Sequence, residues 1–345
     1  MTDPIATIAP GFERTESFAH VANEYAAIRH GAAIIDRSAR LRMRFTGAKA
    51  GESLTGLVTN DVLALKAGTG QFAAALTAKG KIIADLRIFA RDDGYLVDAS
   101  PASGAGFAQM IRKFVNPRLA QYADVTLILR TIGVLGPHAA AAVAAVTGTS
   151  IDALYDLAPF AHLRCDFEGA PLDIVRSPDF GVDSFDCFVA VEHAALLWDR
   201  FVANGAVTAG SAAAEIVRVE SGRPLWGADM DENTLAQEAN FDELAGISYT
   251  KGCYTGQETV ARVHFRGHVN RHLRGLSGEA LLAPRAELFA DDGQPCGEVR
   301  SVTESPTFGA IAIAMVRREI ANGSRVTARW DGGEATAIVV ALPFR

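Results

Sequence analysis

The sequence predicts an α+β protein that ends in a small β-barrel or sandwich. Three observations carry this. Segments of period 2 and period 3.6 intermix without the regular strand–helix alternation of a doubly wound sheet. From about Arg271 the texture changes to short strands punctuated by "DDG", "SPTFG", "NGS" and "DGG". The chain has 345 residues, 49% apolar and 21% charged, enough for two or three domains with a sizeable core. We place the domain boundary between residues 262 and 263.

In chain order, "HVANEYAAIRHGAAIID" reads as a helix closed near Gly31. "RLRMRF" alternates, with Leu41, Met43 and Phe45 on one face and Arg40, Arg42 and Arg44 on the other, which is a half-buried strand. "AGESLTGLVTND" reads as a short helix and a turn. "GQFAAALTAKGKIIADLRIFARDDGYLVDAS" reads as three strands joined by "KGK" and "DDG" turns. Helix "GFAQMIRKFV", strand "DVTLILRTIGVLG" and helix "HAAAAVAAVTG" follow. Residues 161–191 are hairpin-like, and helices "EHAALLWDRFVANG" and "SAAAEIVRVESG" complete this part.

A formal charge of −7 argues against a nucleic-acid binder. No apolar stretch approaches the roughly 20 residues of a membrane span, and the N-terminus lacks the basic start and apolar run of a secretory signal. We expect a cytoplasmic protein, so "NGS" at Asn322 reads as a turn. Cys165, Cys187, Cys253 and Cys296 lie far apart, with no C-x-x-C and no histidine at ligand spacing, so neither a disulfide framework nor a metal site is expected. "AKGK" lacks the leading glycine and Ser/Thr of a phosphate loop, "SGAGFA" lacks the third dinucleotide glycine, and no H-E-x-x-H or G-x-S-x-G occurs. His138, His162 and His193 read as surface or capping residues.

The strongest local signal is "KGCYTGQE", residues 251–258. Gly252 and Gly256 permit positive φ on both sides of Cys253, and a tight turn there can converge backbone N–H groups into an anion-favouring nest. With Lys251 nearby, both effects would favour thiolate, giving a nucleophile or a soft metal ligand. A small residue buried under a turn is the competing reading. Next, "RVHFRGH" alternates, placing Arg262, His264, Arg266 and His268 on one strand face for an acidic partner or ligand tail, or merely a solvated face. Asp85, inside the strand "GKIIADLRIF", is either a pocket carboxylate raised by desolvation or the exposed residue of an amphipathic strand; the exposed reading is preferred.

These residues resemble known families. "KGCYTGQETVARVHFRG" is similar to the K-G-C-[YF]-x-G-Q-E-x-x-A-R segment of YgfZ-type proteins, the folate-binding proteins of iron–sulfur cluster maturation. "VRVESGRPLWGADMDE" resembles the R-[LI]-E-x-G-x-x-L-Y-G-x-D-M-D-E of the glycine-cleavage T-protein (aminomethyltransferase) superfamily, and "SPTFGAIAIAMV" and "VVALPF" resemble its C-terminal barrel. Together the matches run from about Glu24 to the end. The resemblance implies a ring of two intertwined ferredoxin-like α+β subdomains and a barrel, with tetrahydrofolate in the central opening. It implies Asp85 near the reactive folate nitrogens, Arg218 holding folate and Asp186 facing the pterin, a ring edge that one carboxylate can grip with two hydrogen bonds. Lys251, Arg262 and Arg266 are the candidate cations for the ligand.

Two functions follow, with a folate-binding regulator that performs no chemistry as a third reading. In the first, a folate-binding factor assists assembly or repair of iron–sulfur clusters, with Cys253 as a thiolate. One cysteine cannot hold a cluster, so a cluster carrier or client protein must bind transiently. In the second, an aminomethyltransferase-like enzyme moves a one-carbon unit to tetrahydrofolate, with Asp85 beside the reacting centre. The T-protein D-D-L is here Ala84-Asp85-Leu86, the first acid of its glycine-rich motif is Val182, and its F-I-G-x-x-A segment is replaced by the cysteine loop. These departures favour the first function.

Overall fold

The computed structural model describes residues 16–345. The N-terminal part holds two sheets, and the chain passes between them. Helix α1 (Val21–His30) and strand β1 (Ala33–Asp36) open the second sheet before the first has begun. The chain then builds the first, five-stranded sheet from β2 (Leu41–Thr46), helix α2 (Ala50–Thr55), β3 (Gly70–Leu76), β4 (Ile82–Arg91), β5 (Gly94–Ala99), helix α3 (Gly104–Phe114) and β6 (Gln121–Asp124). Its strand order is β3-β4-β5-β2-β6. The chain returns through β7 (Leu129–Leu135), α4 (Ala139–Thr147), α5 (Ile151–Tyr155), β8 (His162–Phe167), β9 (Ala170–Arg176), β10 (Ser184–Ala190), α6 (Val191–Ala203), β11 (Val207–Thr208) and α7 (Ser211–Glu220). These complete a six-stranded sheet of order β11-β1-β7-β10-β9-β8.

Each sheet buries one face under helices, as period-2 strands of this composition require. On the first sheet Leu41, Met43, Phe45, Leu86, Ile88 and Val97 pack with Phe107 and Ile111 of α3 and Leu54 of α2. On the second, Ile132, Val134, Phe185 and Cys187 pack with Val143 of α4 and Leu197 and Phe201 of α6. The second sheet turns Ile35 and Leu135 to Ile28 of α1 and Val217 of α7. A further cluster joins all three units, bringing Phe72, Phe89, Phe160 and Phe188 together with Phe241, Tyr254, Leu273 and Ile313.

After a long connection come helix α8 (Gln257–Arg266) and strands β12 (Arg271–Gly278), β13 (Glu287–Ala290), β14 (Pro295–Ser305), β15 (Gly309–Arg317), β16 (Arg325–Trp330) and β17 (Gly333–Val340). The six close as β12-β15-β14-β13-β16-β17, resolving the expected barrel-or-sandwich choice in favour of a barrel. Its interior is small and aliphatic, including Leu276, Leu288, Val299, Ala312, Ala314 and Val339. The 262/263 position falls inside α8, and the barrel strands start at Arg271.

One element corrects the sequence reading. "RVHFRGH" is not an alternating strand, because Arg262–Arg266 form the last half of α8. The helix begins at Gly256 (φ 85°), where Val260 N–H donates to the Gly256 carbonyl. Val260 is its single buried residue, so the helix carries little of the apolar 3.6 periodicity by which helices are recognised. Among the described residues no helix is long and apolar enough to cross a membrane.

Candidate functional site

The chemistry of the molecule lies between its two sheets. Alternation along β2, β4 and β5 sends apolar residues to α2 and α3 and places Arg42, Arg87 and Asp98 on the opposite face. They are cross-strand partners, with Arg42 opposite Asp98 and Asp98 opposite Arg87. A half-buried strand would show that face to water. Here the second sheet covers it, and Arg42, Arg87 and Asp98 are all buried.

Buried charge must be paired, and the pairing crosses the gap. Arg87 bridges to Asp98 at 3.0 Å and to Asp179 at 3.2 Å, and also pairs with Asp186 on β10. Arg37 donates to both Asp186 oxygens, at 2.9 and 2.8 Å, and to Asp179 at 2.7 Å. Arg40 pairs with Asp98. Arg223 reaches Asp179 at 3.3 Å and lies 4.2 Å over the Phe72 ring. Burial alone would raise the Asp98 carboxyl, but Arg40, Arg87 and Arg42 outweigh it and hold the group at about 2. Asp179 is likewise driven well below the usual carboxylate range, with Arg223, Arg37 and Arg87 overcoming its burial.

Asp85 is the exception in this layer. It lies on β4 two residues before Arg87 and is only 5% exposed, which corrects the preferred expectation of an exposed strand residue. Its Oδ1 is buried without a hydrogen-bond partner. Burial raises the carboxyl pKa, opposed by the charge of Arg40, a hydrogen bond from Asp85's own backbone N–H and the charge of Arg223. The site thus contains one carboxyl with an unpartnered buried oxygen, Oδ1, and no arginine in contact, among acids that arginines neutralise.

Asp186 is saturated by comparison, its carboxylate clamped by Arg37 and Arg87. Arg218 commits all five guanidinium N–H groups. Nε and Nη2 donate to Glu215, Nη1 to the Arg223 carbonyl and to Asp229, and Nη2 also to Ser301 on the barrel. It ties α7 to the barrel while lining a cavity of about 600 Å³ with Phe18, Arg37, Arg40, Phe180 and Leu225, within the ~300–1,000 Å³ range of ligand pockets.

The cysteine loop lies elsewhere. Cys253 is exposed, whereas Cys187 and Cys296 are buried and Cys165 is intermediate; burial raises the thiol pKa of all three. Lys251, expected beside the sulfur, instead turns inward. It is 8% exposed, its Nζ donates to the Thr55 and Val58 carbonyls at the end of α2, and it lies 4.4 Å over the Tyr254 ring. Burial lowers its pKa to about 8. Of the two flanking glycines, Gly256 has positive φ, and a Cβ there would meet the Thr77 carbonyl oxygen at 2.6 Å. The loop is therefore pinned to α2 and to the β3–β4 turn. That turn is the hairpin expected of "AKGK", with Gly80 N–H donating to the Thr77 carbonyl.

The structure therefore brings Asp85 and Asp186 into one layer and places Arg218 on the adjoining cavity. Cys253, Arg262 and Arg266 are exposed on the loop and α8. His162, expected at the surface, is buried edge-on to Phe89. Sequence reasoning missed Arg37, Arg87, Asp98, Asp179 and Arg223. The available signal was strand alternation, which put Arg42 on the polar face of "RLRMRF" and was not extended to its cross-strand partners Asp98 and Arg87. Among the described residues, no group of three or more His, Cys, Asp or Glu is placed to hold a metal ion.

Two helix-covered sheets, a closed six-stranded barrel and a buried acid layer beside a cavity define an architecture of the glycine-cleavage T-protein class. The chain belongs to the GcvT family: residues 6–247 match the GCVT N-terminal domain, and residues 271–345 match the glycine cleavage T-protein C-terminal barrel domain. It is 28% identical over 336 residues to an aminomethyltransferase of Rubrobacter xylanophilus, covering 97% of this chain and 88% of that one. An aminomethyltransferase of Nostoc sp. is 26% identical over 343 residues, covering 97% and 90%. The fold is similar to that of the glycine cleavage system aminomethyltransferase T from Bartonella henselae, with a TM-score of 0.84 at 22% identity over 94% of this chain and 89% of that one.

Proposed function

We propose that this protein binds tetrahydrofolate and transfers a one-carbon unit to it, as an aminomethyltransferase-type enzyme with Asp85 at the reacting centre. The observation that carries this reading is the orphaned Oδ1 of Asp85, a buried carboxyl oxygen without a partner. Leaving such an atom unmade is unfavourable by ~1–3 kcal/mol, and it is retained where a ligand group completes it. The curated relatives named above support the same reaction class.

Tetrahydrofolate, when bound, supplies the amine nitrogens that accept the one-carbon unit. The chain's own contribution is positional and electrostatic. Asp85, raised by burial, can hold or release a proton at Oδ1, and in its charged form it stabilises positive charge developing beside it. Arg40 and Arg223 keep the ionised form accessible. Arg218, whose N–H groups are already engaged, holds the cavity wall, and Asp186 holds Arg37 and Arg87 in place within the charged layer. Arg37 and Phe180 border the cavity as a cation stacked on a ring, 5.0 Å apart.

A second reading is favoured by a separate observation, the exposed thiol in the YgfZ-like loop. There the protein assists iron–sulfur cluster assembly or repair, with Cys253 as the group presented to a cluster carrier or client. Calorimetric titration with tetrahydrofolate, together with transfer of a one-carbon unit from an aminomethyl donor onto tetrahydrofolate, tests the first reading. Asp85→Asn should remove transfer while Cys253→Ala leaves it intact. If Cys253→Ala instead lowers the activity of cluster-dependent enzymes in cells and no variant alters transfer, the second reading replaces the first.

A further inference from the structure

Helix α8 leaves a charged and apolar face unused by the fold. Arg262, Phe265 and Arg266 stand at i, i+3 and i+4, so they share one side of the helix. Phe265 is 67% exposed, the most exposed large hydrophobic side chain among the described residues. Its ring meets those of Tyr249 and His264 in edge-type contacts, and the latter two stack at 3.6 Å. Within the described residues neither Arg262 nor Arg266 has an ion pair. Lys79, also exposed and unpaired, joins them from the β3–β4 turn, because Gly80 of that turn abuts Thr259 of α8. Glu258 and Asp242 border the patch, and Asp242 is engaged by the Tyr249 hydroxyl. The patch thus sets three unpaired cations against two carboxylates around an exposed aromatic anchor, a local excess of positive charge on a protein of net charge −7.

We infer that this face docks an acidic protein partner, with Phe265 as the anchor and Lys79, Arg262 and Arg266 as the steering cations, so that the partner covers Cys253. Aromatic and arginine side chains dominate binding energy at such surfaces, and opposite charge governs encounter and specificity. The distances permit one partner to reach both ends. Ten helical residues span about 15 Å, and the four-residue step from Gln257 back to Cys253 adds at most about 14 Å. A standard interface of ~800 Å² per side is about 30 Å across. The inference does not require one-carbon transfer, and it supplies the surface that the second reading needs.

The test uses the full chain with Cys165→Ser, carrying a thiol-reactive photo-crosslinker on Cys253. The captured protein is identified, purified uncrosslinked and titrated by fluorescence anisotropy against the wild type, Phe265→Ala and Arg262→Glu/Arg266→Glu. We expect an acidic protein whose affinity falls at least tenfold in each variant and weakens with salt, while the charge reversal Lys113→Glu on α3 has no effect. A captured protein that binds all variants equally, one with a basic surface, or no capture above the Cys253→Ser background overturns the inference. Tetrahydrofolate titration of the same variants separates this outcome from the fate of the folate reading, since α8 lies outside the cavity wall.

Discussion

Replacing Asp85 by Asn separates stability from function, because the buried oxygen has no partner to lose. Most buried carboxylates in this layer are clamped by arginine, and neutralising one of them leaves an unpaired cation. Asp85 differs, since its Oδ1 accepts no hydrogen bond and burial raises its pKa. A folded pKa above the unfolded value of about 3.9 means that the folded protein prefers the protonated form. This stability contribution is complete below pH ~3.9 and is lost as pH rises through the folded pKa. Asn has no proton to lose, so Asp85→Asn should match the wild type at pH 3.5 and exceed it at pH 7. The gain is about 1.4 kcal/mol for each pH unit by which the folded pKa lies above the unfolded one. Urea unfolding of both proteins from pH 3.5 to 8 reads this difference directly, and transfer to tetrahydrofolate should be abolished in the same variant. A loss of more than about 1 kcal/mol at pH 7, or a difference independent of pH, would refute the idea that Asp85 is an uncompensated site carboxyl.

Arg87→Met should be among the most damaging single changes, since it leaves Asp98, Asp179 and Asp186 short of a cation; a loss of about 3–5 kcal/mol is expected in denaturant unfolding. Lys251→Met strips the Thr55 and Val58 carbonyls of their donor and should lower stability by about 1–3 kcal/mol. Because burial depresses the Lys251 pKa to about 8, wild-type stability should gain a rising component between pH 8 and about 10.4 that the Met variant lacks. Gly256→Ala forces a Cβ to 2.6 Å from the Thr77 carbonyl oxygen at φ 85°. It should cost about 1–3 kcal/mol and expose the loop to limited proteolysis, whereas a Tm unchanged within a degree would contradict the tight packing. Cys253→Ala, at an exposed position, should shift stability by less than about 0.5 kcal/mol, so that any loss of cellular cluster-enzyme activity is chemical rather than structural.

The sequence by itself determined most elements and the class of fold. The turn residues "KGK" and "DDG" set the strands around Asp85, the apolar alternation set which faces met α2 and α3, and the punctuated tail set a small all-β unit whose closure into a barrel the structure decided. It also singled out Asp85, Asp186 and Arg218 through motifs, and Cys253 through its glycines. Three matters were decided only by tertiary structure. Alternation tells one strand face from the other but not whether a second sheet covers the polar one, so Arg42 passed for the open face of a half-buried strand, Asp85 for an exposed residue, and Arg87 and Asp98 went unremarked. A charged pattern of seven residues fits a strand and a polar helix equally well, and it was the left-handed glycine at 256, held against the β3–β4 turn, that started α8. A lysine two residues from a thiol is close along the chain, yet its four-carbon stem lets the ammonium seek the carbonyls of α2 instead. In each case the deciding contact joins residues far apart in sequence, where no local pattern carries the information.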